Sequence, residues 1–198
     1  MRKMLIGAIM IMFSGVIAVG SGYSQDGSTS AVGLGDSITF MNHEAFWLDH
    51  GVPGATVEYS SSRLPELLPK DTEQVWLMAG INDLLQGKPA DEIVKAMASL
   101  IDAIQQQDPG SCIFIQSILP TRKGNKVNEE INQVNSGYEQ MADIKNNIFY
   151  IDLHSHFCES DGETALAEYI PDLHPNKAGD EYWNSLILQW IQENLQNN

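Results

Sequence analysis

Two apolar runs, Val75-Trp-Leu-Met-Ala79 and Ile113-Phe-Ile-Gln-Ser-Ile118, set the tightest limit on how this chain can fold. A strand with one wet face alternates apolar and polar residues; these runs do not, so both faces of each strand must be covered. That is the pattern of a parallel sheet held between helical layers. The two runs extend as strands over Gln74 to Ala79 and Cys112 to Ile118. Ala31 to Gly35, a weaker segment around Phe46 to His50, and Ile148 to Leu153 read as further strands.

Amphipathic helices lie between them. Ile93, Val94, Met97, Leu100, Ile101 and Ile104 mark one buried stripe, and Val127, Ile131, Val134, Tyr138 and Met141 mark a second. The segment Gly51-Val-Pro-Gly-Ala-Thr56 leads into a helix that runs to about Leu68, before the third strand. The last helix starts near Lys177 and buries Tyr182, Leu186, Ile187, Trp190 and Ile191. Strands alternating with helices predict an α/β fold: a three-layer α/β/α sandwich with a central parallel sheet, whose ligand chemistry sits at the carboxyl ends of the strands. The stretch between Ser37 and Gly54 is too short for a full crossover helix.

Arg2 and Lys3 followed by the apolar Met4 to Val19 form the charged and hydrophobic regions of an export signal, and Ser21-Gly-Tyr-Ser24 supplies small residues for cleavage after Ser24. The reading is therefore a signal peptide over residues 1–24, a tether over 25–30, and one domain over 31–198. Export to the periplasm or the exterior follows, with no lasting membrane insertion. With 11 basic against 26 acidic residues the chain carries −15, which disfavours nucleic acid and anionic lipid as partners. Cys112 opens one strand and Cys158 follows another, at opposite ends of a parallel sheet. Strand length alone separates them by roughly 20 Å, so two free thiols are expected rather than a disulfide.

Four short blocks fall at or just beyond predicted strand ends: Gly35-Asp-Ser37, Gly54, Gly80-Ile-Asn-Asp83 and Asp172-Leu-His-Pro-Asn176. In this order they resemble the SGNH (GDSL-type) hydrolases, a family of serine esterases with a flavodoxin-like fold, and the resemblance runs from about Ala31 to about Trp190. It implies Ser37 as nucleophile and His174 as general base. It also implies an oxyanion hole made of the Ser37 and Gly54 backbone N–H groups and the Asn82 amide, with no cofactor and a small-molecule or glycan ester as substrate. Read from the residues alone, Ser37 is equally a helix cap, Gly54 a turn glycine beside Pro53, and Asn82-Asp83 a helix-capping pair, the role assigned to Asp83.

The chain departs from the family at the orienting acid. The family places Asp three residues before the histidine; here position 171 is Pro, and Asp172 stands two before His174. A one-residue deletion in a loop preserves room for the hydrogen bond, so Asp172 completes the expected Ser-His-Asp triad. Glu168 and a backbone carbonyl are the alternatives. Gly-x-Ser-x-Gly is absent, and the early serine on a gentle turn implies an open, shallow site for short acyl groups. O-acetylated carbohydrate is the favoured substrate. Two other readings compete: a metal-dependent hydrolase built on His154 and His156, and a non-catalytic carbohydrate- or lipid-binding member of the fold.

Overall fold

The computed structural model describes residues 31–42, 45, 47–145 and 147–196, so the leader and tether lie outside the described residues. Five strands, β1 (Ala31–Gly35), β2 (Leu48–Gly51), β3 (Gln74–Met78), β4 (Cys112–Gln116) and β5 (Ile148–Ile151), form one parallel sheet in the order β2-β1-β3-β4-β5. The helices are α1 (Ser37–Met41), α2 (Val57–Ser62), α3 (Leu64–Leu67), α4 (Ile81–Leu85), α5 (Ala90–Gln107), α6 (Asn125–Ile144) and α7 (Lys177–Ile191). Among the described residues, no helix is long and apolar enough to cross a membrane.

Lateral register builds one face of the core. Gly33, Trp76, Phe114 and Phe149 are successive neighbours across β1, β3, β4 and β5. Trp76 stacks on Phe114 with ring centroids 4.2 Å apart, and Phe114 stacks on Phe149 at 5.2 Å. Gly33 supplies the gap that ends this ladder: a Cβ there would lie 2.2 Å from the Trp47 ring, which stacks on Trp76 instead. Helix α7 covers this face through Trp183, whose indole donates to Gln116 Oε1 at 2.7 Å, and through Trp190 against Phe114 and Phe149. Side chains alternate along each strand, so Ile113 and Ile115 point to the opposite layer, where α5 buries Ile93, Met97, Leu100, Ile101 and Ile104.

The predicted helix reaching Leu68 is broken in two. Pro65 has no N–H to continue the ladder, and the chain turns at Arg63 between α2 and α3. The weak second strand is Leu48–Gly51, one to two residues later than expected. Strand β4 ends at Gln116: the Ser117 N–H still donates to the Ile151 carbonyl of β5 at 3.0 Å, and Ile118 then leaves the sheet. Ser117 Oγ accepts from the Leu153 and His154 N–H groups, while Asn135 on α6 bonds both the N–H and the carbonyl of Ile118. Asn128, also on α6, does the same to Thr121. These two buried asparagines hold the β4–α6 connection down against α6.

Strand order reverses at β1, since the chain passes from β1 outward to β2 and then back across to β3. In sheets of this kind the diverging connections leave a crevice beyond the carboxyl ends of the two central strands. Ser37 follows β1 and Asn82 follows β3.

Candidate active site

Helix α1 begins at Ser37 because Asp36 caps it, its Oδ1 accepting from the Ile38 N–H at 2.8 Å. Ser37 thus sits at the first turn, half-buried, with its N–H engaged by no atom of the described residues. Its Oγ lies 2.8 Å from His174 Nε2, across 137 positions of sequence. A hydroxyl on an unprotonated imidazole nitrogen can lose its proton as it attacks an electrophile.

Gly54 is the third residue of the tight turn Val52–Ala55, closed by Ala55 N–H on the Val52 carbonyl at 2.9 Å. Its φ of +80° suits a type II turn and favours glycine, and the residue is exposed. The turn is tied at both ends: Val52 N–H donates to the Gly35 carbonyl at 3.0 Å, and the Ala55 carbonyl accepts from Asn82 Nδ2 at 3.0 Å. Gly54 is thereby held between the ends of β1 and β3. Asn82 commits one amide hydrogen to Ala55 and keeps a second for another acceptor.

His174 reaches Ser37 from the loop before α7. Asn176 fixes that loop: its Oδ1 caps α7 on the Gly179 N–H at 3.0 Å, its Nδ2 donates to the Glu168 carbonyl at 2.8 Å, and its N–H donates to the Tyr169 carbonyl at 2.8 Å. Glu168 therefore contributes a backbone carbonyl, and its side chain is exposed. The structure does not bring Asp172 to His174. Asp172 is exposed, its carboxylate pairs with Lys123, and its carbonyl accepts from the Arg122 N–H at 2.7 Å. Among the described residues, the His174 ring bonds Ser37 alone.

Asp83 is fully buried and caps a helix other than its own. Its Oδ2 accepts from the Val57 N–H at 3.0 Å, at the start of α2, and Lys88 Nζ lies 3.0 Å from its Oδ1. The capping role read from sequence is right in kind and wrong in partner. Asp36 is equally buried, and burial, reinforced by the Asp83 charge, pushes its carboxyl up to about 7. Its Oδ2 finds no hydrogen-bond partner among the described residues.

His154 and His156 do not converge. They lie in a 3-10 turn, where residues two apart diverge, so His154 is buried beside Cys158 Sγ, 3.4 Å from its Nδ1, and His156 is exposed. Burial holds the His154 imidazole below its ordinary range. Among the described residues, no three His, Cys, Asp or Glu side chains are grouped to hold a metal ion. Cys112 and Cys158 are both free thiols.

No curated protein matches the chain. Solved structures share its fold. A GDSL-like lipase from Bacteroides thetaiotaomicron superposes with a TM-score of 0.71 at 20% identity, over 82% of this chain and 87% of that one. A member of the lipolytic protein G-D-S-L family from Veillonella parvula gives 0.67 at 20% identity, over 80% and 96%. A carbohydrate esterase family 3 protein from Talaromyces cellulolyticus gives 0.62 at 16% identity, over 85% and 99%. The family model of the GDSL-like lipases and acylhydrolases matches residues 17–182. With that match spanning most of its length, the chain belongs to the GDSL-like lipase/acylhydrolase family.

Proposed function

We propose that the protein is a serine esterase that hydrolyses carboxylic esters of short acyl groups, with O-acetyl groups on carbohydrate as the favoured substrate class. The observation that carries this reading is the 2.8 Å approach of Ser37 Oγ to His174 Nε2. As Ser37 Oγ bonds to the ester carbonyl carbon, its proton passes to Nε2 and the carbonyl electron pair moves onto oxygen. That oxyanion is met by the Ser37 and Gly54 N–H groups and the second amide hydrogen of Asn82. Collapse expels the alcohol, which takes the proton from Nε2 and leaves Ser37 acylated. Water then loses a proton to the same nitrogen, attacks the acyl group and releases the acid, restoring the hydroxyl.

The preference for short acyl groups rests on the compact Ser37 to Gly54 connection, whose regular elements are a five-residue helix, the four-residue strand Leu48–Gly51 and a tight turn. The likeness in fold to a carbohydrate esterase favours a glycan-borne acetyl group. We infer as well that residues 1–24 direct export. In the resting arrangement the histidine works with Ser37 as a pair, Asp172 being held by Lys123.

Ser37→Ala tests the mechanism. Turnover of an aryl acetate should fall on the order of 10⁶-fold with the fold intact, and an organophosphonate should add its mass to Ser37 in the parent protein alone. Activity of Ser37→Ala within about tenfold of the parent would sink the covalent mechanism. Unchanged rates in a chelator separate this reading from the metal-dependent one. Initial rates across aryl esters of increasing acyl length, then acetate release from acetylated glycans, fix the substrate class.

A further inference from the structure

The segment after Gly54 and the segment after Gly80 are joined by hydrogen bonds at three places. Asn82 Nδ2 donates to the Ala55 carbonyl at 3.0 Å, Asp83 Oδ2 accepts from the Val57 N–H at 3.0 Å, and Lys88 Nζ bridges Asp83 Oδ1 at 3.0 Å and Glu58 Oε2 at 2.9 Å. Each join touches a residue next to, or one that is, a proposed oxyanion donor. The middle join is the unusual one. Asp83 has 0% exposure, and a carboxylate taken wholly out of water destabilises a fold unless charge and hydrogen bonds compensate it.

Lys88 supplies that charge, with its side chain 26% exposed. Apolar side chains would hold α2 against α4 without this arrangement. A carboxylate gripping one backbone N–H does something they cannot: it fixes where residue 57 lies along the α4 turn. The turn bearing Gly54 leads directly into that residue. There is also an electrostatic reason for the lysine. A buried anion one residue from Asn82 would oppose negative charge building on the substrate oxygen, and the ammonium cancels it.

We propose that Asp83 and Lys88 are positioning residues that set the separation of the Gly54 N–H and the Asn82 amide and neutralise the field at the oxyanion. This rests on the esterase reading of the same site. Neither side chain touches substrate; both act through Asn82 and the Gly54 turn.

The test is a double-mutant cycle on aryl acetate hydrolysis, with thermal unfolding run on every variant. Lys88→Met should lower kcat by about tenfold or more and leave KM within about twofold, because the donors it positions act chiefly on the transition state. Lys88→Arg, which keeps the charge, should restore kcat to within about threefold of the parent. In an Asn82→Ala background the Lys88→Met penalty should shrink to about twofold, the mark of residues working through one another. Should Lys88→Met not fold, Asp83→Asn takes its place in the cycle: it keeps the acceptor for Val57 and loses the ion pair. Equal penalties in both backgrounds, or kcat within twofold of the parent for the variant used, overturn the proposal. Failure of the underlying reading looks different, since an active Ser37→Ala would remove the esterase mechanism whatever Lys88 does.

Discussion

Lys123 holds the carboxylate of Asp172 in a surface ion pair, two residues from His174 yet bonded away from its imidazole. The backbone of Asp172 is pinned as well, its carbonyl accepting from the Arg122 N–H. Arg122 in turn donates to the Ala165 carbonyl and pairs with Glu159, so one short segment after β4 anchors the whole loop that carries His174.

Asp172→Asn should therefore lower kcat by less than about tenfold, against the roughly 10⁴-fold loss seen where a carboxylate fixes the catalytic tautomer. Glu168→Gln should be near neutral. A loss of about 10² or more for Asp172→Asn would mean that the carboxylate leaves Lys123 for His174 during turnover, which a surface ion pair worth about 1 kcal/mol or less permits.

Asn82→Ala should lower kcat by roughly 10² to 10³ with little change in KM, since the lost donor meets charge only as it develops. The same change removes the bond to the Ala55 carbonyl, so Asn82→Gln, which keeps both amide hydrogens on a longer side chain, is the informative companion. A rise in KM alone would make Asn82 a substrate contact instead.

Asp36 gives the fold a pH dependence whose sign follows from its burial. The carboxyl ionises near 4 in the unfolded chain and near 7 in the folded one. Its contribution is therefore complete below about pH 4 and lost as pH rises toward 7. Asp36→Asn, nearly isosteric, keeps an acceptor for Ile38 and cannot ionise. Denaturant unfolding across pH should show the parent losing on the order of 4 kcal/mol relative to Asp36→Asn between pH 4 and pH 7.5. Parallel curves would mean that Asp36 ionises freely in the fold.

Thiol titration tests the placement of the two cysteines. Burial pushes Cys112 up to about 11 and Cys158 up to about 12, so neither should react quickly at pH 8 while the protein is folded. Unfolding without reductant should release two reactive groups. Finding none in a monomer would contradict the positions of β4 and β5.

Much of the fold was legible because its signals are local. The mostly apolar, non-alternating runs of β3 and β4 and the stripes of α5 and α6 announce elements that are buried on known faces. What escaped is non-local. Nothing around Asp83 reveals that its partner is Val57, 26 residues earlier, and nothing around Asp172 reveals Lys123, 49 residues away. The α6 stripe is apolar by its spacing, yet Asn128 and Asn135 lie buried on the same helix, bound to backbone beyond the end of β4. At the site, Ser37 and His174 were marked by short blocks that the fold brings within hydrogen-bond distance. The acid was not, because a two-residue spacing states where Asp172 lies along the chain and says nothing about which neighbour claims its carboxylate.

The order in which the chain supplies these parts has a consequence for the protein as it is made. Ser37, Gly54 and Asn82 lie in the first half and meet across β1 and β3, whereas His174 comes from the loop before the final helix. On the proposed mechanism, a nascent chain folded as far as β4 holds the nucleophile without its base. By that mechanism ester cleavage waits for the last helix to leave the ribosome and dock, and a fragment truncated before it should be inert.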